Sequence, residues 1–156
     1  MDLNSYLAVL AAEATALAAA ADEAGLEAPV PTCPGWTVND LVLHMGEVHR
    51  WATAVLTSRA TKLSDVPGDS LGALPELAGT TDWLRHGAAR LCEALATADP
   101  SVEYAAFLSD PVAPRVLFWH IATICIRLEV RLKLLPDSTL HQTHPLAAAL
   151  LFSRPR

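Results

Sequence analysis

Apolar and helix-favouring residues fall into four long blocks separated by clusters of Pro, Gly, Ser and Asp. From Leu3 to Ala24 nearly every residue favours helix, with Asn4 or Ser5 available as a cap and Gly25 as a stop. Pro29, Pro31, Pro34 and Gly35 make the Leu26 to Gly35 stretch a tight, Pro-stiffened loop. Thr37 then reads as an N-cap, with Asp40 three residues on as a short stand-in for a capping-box Glu, and a second helix runs to about Ser58. At about 100° per residue, Leu41, Met45, Val48, Ala52 and Val55 share a narrow sector of this helix and define its core stripe, while Glu47 and Arg50 point outward and His49 lies at the border. Arg59 to Thr80 is a long connection with room for a short helical turn. A third helix follows from about Thr81 to Ala98, with Trp83, Leu84, Leu91 and Leu95 on one face. After the Asp99-Pro100 break, Pro114 opens a strongly apolar fourth helix over Val116 to Leu135, closed by Pro136.

Four helices without an alternating strand pattern predict an all-α fold, an antiparallel four-helix bundle. A length of 156 residues, 52% of them hydrophobic, suits one domain over residues 1–136, followed by an irregular tail over 137–156. The 11 Lys and Arg against 17 Asp and Glu give a net charge of -6 and no long basic run, which argues against nucleic acid. Asp2, Glu13, Asp22 and Glu23 break any signal-peptide pattern, and Leu117 to Ile126, the nearest approach to a membrane span, is too short; a cytoplasmic protein without membrane contact is expected. Cys33, Cys92 and Cys125 are too few and too scattered for a disulfide framework or a Cys-x-x-Cys knuckle, and each reads as a small buried apolar residue.

His44 lies roughly 60° from Leu41 on the second helix, on the inner flank of the core stripe, and so offers an imidazole to the bundle interior. By periodicity alone, such a residue is a hydrogen-bonded core histidine about three times for each time it is a ligand. The surrounding run changes that balance. Val30-Pro31-Thr32-Cys33-Pro34-Gly35-Trp36-Thr37, continuing through Leu41-Val42-Leu43-His44 to Ala52, closely resembles the metal-binding N-terminal domain of the mycothiol-dependent maleylpyruvate isomerase family. There a Cys-Pro-Gly-Trp loop enters a helix bearing Leu-Val-x-His. The resemblance implies a DinB-like four-helix bundle in which His44 ligates a divalent metal, commonly zinc. Trp36 is placed to act as a hydrophobic staple or to cover one end of the site.

The resemblance also implies a Glu on the fourth helix and a His four residues beyond it. Glu129 is the counterpart of the first, which makes His44 and Glu129 the candidate metal ligands, but Lys133 stands in the place of the second. A lysine ammonium has no lone pair to donate. Cys125, four residues before Glu129, is a substitute weighed at about one in six against a plain core role. His120 and the tail pair His141 and His144 are weaker substitutes. The implied activity is a mycothiol-dependent isomerisation or S-transfer on a small electrophile, through a metal-activated thiolate, by a monomer or homodimer. Arg50 and Arg127 are available to hold a carboxylate, although exposed helical arginines ordinarily face solvent. The alternative is a catalytically inactive bundle with a structural or partner-binding role. The family pattern fades after Phe118-Trp119, as a truncated or frame-shifted gene would produce, and translation of the other frames downstream of Trp119 tests this.

Overall fold

The structure, a computed structural model, describes residues 3–31, 33–105 and 113. Those residues hold three α-helices, α1 (Leu3–Ala24), α2 (Val38–Thr57) and α3 (Thr80–Thr97), with two 3₁₀ turns at Leu63–Asp65 and Leu77–Gly79. No strand occurs among them, only an isolated bridge between Pro29 and Thr37. The all-helical class is therefore observed. The fourth helix expected over Val116 to Leu135 and the tail over 137–156 lie outside the described residues.

Helix α1 ends where its sequence says it should. Gly25, at φ +84°, takes the left-handed conformation and donates its N–H to the Ala21 carbonyl, closing the last turn without a Cβ clash. Leu10, Leu17, Ala18 and Ala21 face the core, and the many small side chains let α1 lie close to α3, its main neighbour. Among the described residues, α1 is a helix long and apolar enough by length and composition to cross a membrane, a test that a core helix also passes; the Leu117 to Ile126 run lies outside the described residues.

The loop between α1 and α2 is a folded unit. Val30 N–H donates to the Trp36 carbonyl, Trp36 N–H to Cys33, Cys33 N–H to Val30, and Val38 and Asn39 reach back to Ala28 and Leu26. Gly35, at φ +82°, makes the reversal possible. Cys33 is buried beneath it, as expected of a small apolar residue.

A complete capping box starts α2: the Thr37 hydroxyl accepts from Asp40 N–H at 3.2 Å, and the Asp40 carboxylate accepts from Thr37 N–H at 2.9 Å. Its C-terminus closes in a Schellman motif, in which Ala60 N–H donates to Val55 and Arg59 N–H to Leu56. Arg59 occupies the left-handed position, φ 54°, that glycine ordinarily fills, and its guanidinium pairs with Asp99 at 2.6 Å. Ala105 N–H then bonds the Ala60 carbonyl, and buried Tyr104 accepts from Asp99 N–H through its hydroxyl.

Helices α2 and α3 pack along their length and carry the centre of the core, with Leu41, Met45, Leu84 and Leu91 fully buried. The Thr80 hydroxyl donates to the Asn39 side-chain carbonyl at 2.8 Å and fixes the start of α3 against the start of α2. The buried face of α2 is wider than the narrow sector expected for it. It extends through Gly46, His49 and Thr53, because α3 covers that flank as well, while Val48 is only partly buried.

Candidate functional site

Three elements converge on His44: the loop over residues 25–37, the capping box that fixes the direction of α2, and α2 itself. His44 is half-buried, as its position on the inner flank of the stripe predicts, and its Nε2 is shielded from solvent. The Trp36 indole meets the imidazole edge to face, ring centroids 5.6 Å apart and planes at 75°. Trp36 thus covers His44 and also packs on the core. The loop thereby places an aromatic wall on the one candidate ligand within the described chain.

A metal site needs more donors than this. Among the described residues no group of three or more His, Cys, Asp or Glu side chains comes together to hold a metal. One imidazole alone does not meet the three or four protein ligands of a zinc site. The described residues therefore fit a metal in part, by one oriented nitrogen donor. Glu129, Lys133, Cys125, His120, His141, His144 and Arg127 lie outside the described residues.

On the opposite flank of α2 the structure departs from expectation. His49, expected at the border, is fully buried, because α3 lies over it; its ring N–H donates to the Leu84 carbonyl. Burial first and the neighbouring Arg50 charge second lower its pKa from 6.5 to about 4, so the ring is neutral at pH 7. Arg50, expected to point outward, instead turns into the seam between α2 and α3. Its guanidinium stacks 3.5 Å from the Trp83 ring centroid and donates to the Trp83 carbonyl at 3.0 Å and the Gly46 carbonyl at 3.2 Å. Glu47, also expected outward, is half-buried.

The missed signal was in the glycines. A Cβ at Gly46 would overlap the Trp83 ring, and a Cβ at Gly87 would come within 2.5 Å of Arg50 Nη1. Two mid-helix glycines, each unfavourable by about 1 kcal/mol relative to alanine, mark where a bulky pair must be seated between helices.

The remaining cysteine among the described residues carries no chemistry in this arrangement. Cys92 directs its thiol at the Leu7 carbonyl, 3.8 Å away, and burial followed by the Glu93 charge pushes its pKa up, away from thiolate reactivity.

Comparison with known proteins bears on the His44 flank. The sequence profile of the mycothiol maleylpyruvate isomerase N-terminal domain matches residues 7–126, which takes in most of α1, the covering loop, His44, the α2–α3 seam and the chain as far as Ile126. No curated protein and no solved structure gives a match. With the Cys33-Pro34-Gly35-Trp36 entry and His44 inside a match over most of its length, the chain belongs to the mycothiol maleylpyruvate isomerase N-terminal domain family.

Proposed function

We propose that this protein is a divalent-metal, mycothiol-dependent enzyme that isomerises or transfers sulfur to a small electrophile, with His44 and Glu129 as metal ligands. The observation that carries the reading is His44 itself, directed inward from α2 with Nε2 shielded from solvent and Trp36 set against the ring. A bound zinc ion would act as a Lewis acid toward a thiol, lowering its pKa as it does that of water. The chain's own contribution is positional. The capping box of Thr37 and Asp40 fixes the first turn of α2, Trp36 restricts the imidazole and keeps water from one side, and Glu129 is the carboxylate donor the reading requires.

A second reading, a bundle that keeps the fold without the chemistry, is favoured by Lys133, which stands where a third ligand is expected. Metal analysis of the purified, dialysed full chain separates the two. Near-stoichiometric zinc in the wild type, lost in His44→Ala and in Glu129→Ala, supports the enzyme. A wild type that retains no metal after loading rejects it.

A further inference from the structure

Helices α2 and α3 face each other through two stripes of matched spacing. On α2 these are Gly46, Arg50, Thr53 and Thr57; on α3 they are Trp83, Gly87 and Arg90. At one end of the seam the segment 67–73 borders the stripes and leaves a half-open cavity of about 400 Å³, lined by Arg50, Arg90, Thr53, Thr57, Asp69 and Ser70 among others. That volume is in the range of small-molecule sites. On α2, Arg50 lies about 120° around the helix from His44 and nearly two turns along it, so the cavity is separate from the candidate metal centre.

Arg50 is held in advance of any ligand. The Trp83 face, two backbone carbonyls and the bare Cα positions of Gly46 and Gly87 define its place, and two of its five N–H donors are used in doing so. The other three have no hydrogen-bond partner among the described residues. Arg90 is close enough for its charge to lower the pKa of Arg50, after burial, the larger cause. The ion pairs of the described residues involve Arg59 and Arg85 but neither Arg50 nor Arg90. Two like charges kept near one another, neither within ion-pair distance of a carboxylate among the described residues, leave a place for an anion, and a fixed guanidinium fork suits a carboxylate.

The rest of the lining has the complementary polarity. The Thr53 and Thr57 hydroxyls donate to the His49 and Thr53 carbonyls, so toward the cavity they offer acceptors. Asp69 is a further acceptor, and the backbone N–H groups of Ser70 and Gly72 are used within the segment's own turns.

We propose that this cavity binds a small carboxylate-bearing molecule that also carries a hydroxyl or ammonium group, the carboxylate on Arg50 and Arg90 and the donor toward Thr57 and Asp69. The site is independent of a metal at His44. Calorimetric titration of the full-length protein with L-malate, at fixed ionic strength, tests it, with the neutral diamide of malate as control. The wild type binds one malate per chain and not the diamide. Arg90→Gln, an exposed position whose change spares the Arg50 stack, weakens binding about tenfold or more, as loss of a charge-assisted contact does. Arg85→Gln makes the same charge change outside the cavity and leaves affinity within about twofold. Absence of saturable malate binding by the wild type, or equal affinity in Arg90→Gln, overturns the proposal and leaves Arg50 as a clamp between helices.

Discussion

The two halves of α2 are built by different means. The first half is capped and covered by neighbours in sequence, with Asn39–Thr80 as its long-range bond: Thr37 and Asp40 cap each other three residues apart, and Trp36, just before the helix, reaches His44 across two turns. The second half is fixed by residues 33 to 45 positions away. Arg50 is held by Trp83, His49 by Leu84, Arg59 by Asp99 and Ala60 by Ala105. His44 and His49 show the consequence. One lies under a loop that belongs to its own helix entry and stays half-buried; the other is sealed by a second helix and cannot easily accept a proton.

The largest expected effect that tests this contrast is the acid sensitivity conferred by His49. Its pKa is about 4 in the folded chain against 6.5 unfolded, so between those values the unfolded state binds a proton that the folded state does not. The stability associated with a neutral His49 is present above about pH 6.5, falls as pH drops through the window, and levels off below about pH 4. Between about pH 7 and pH 4.5 the loss from this one residue is about 2 kcal/mol. Urea unfolding of the wild type and of His49→Gln, which keeps a donor for the Leu84 carbonyl, should show stability curves that diverge by that amount on acidification. Carboxylates such as Asp99 titrate in both proteins and cancel. Parallel curves would mean that α3 does not seal this flank.

The same contrast explains what could be read from the chain alone. Gly25, the Thr37–Asp40 pair and the inward direction of His44 are set by short-range geometry, and each is found where the residues placed it. The cover that Trp36 gives His44 was one of two roles open to it, and it required knowing how the loop folds back on α2. Arg50 and His49 depart from the helical-wheel expectation for a definite reason. A helical wheel assigns faces from the apolar residues of one helix, and it has no means of showing that a second helix will cover a polar flank and bring Trp83 and Leu84 to meet these side chains. The glycines at 46 and 87 held that information, but only as a pair, since either alone reads as an ordinary weak helix position. The candidate ligand Glu129 lies outside the described residues, and His44 is the one of the two candidates within them.

A smaller effect is expected at the start of α2. Thr37→Ala removes the hydroxyl that accepts from Asp40 N–H and leaves the Asp40 carboxylate with one fewer partner, at a cost of about 1 kcal/mol in global stability. Because the capping box is local, Asp40→Ala should cost a similar amount and the double variant less than the sum, reflecting one shared motif. Thermal unfolding of the three variants measures it. Full additivity would show that Thr37 and Asp40 act separately, and that the first half of α2 is not the self-contained unit described above.

The smallest effect belongs to the other end of the helix, and its sign is informative. Arg59 holds a left-handed backbone that disfavours L side chains by roughly 1 to 2 kcal/mol, so Arg59→Gly relieves strain in the Schellman turn. Against this stand the greater freedom of glycine in the unfolded chain and the loss of the ion pair to Asp99, which is solvent-exposed on both sides and so weak. These terms nearly offset, and Arg59→Gly is expected to lie within about 0.5 kcal/mol of the wild type. Arg59→Ala loses the same ion pair but keeps the strain, and should be less stable than Arg59→Gly by about 1 kcal/mol. If instead both variants lose stability equally, the Arg59–Asp99 pair rather than backbone conformation governs this terminus. The second half of α2 would then depend on distant partners even at its cap, where the first half relies on a residue three positions away.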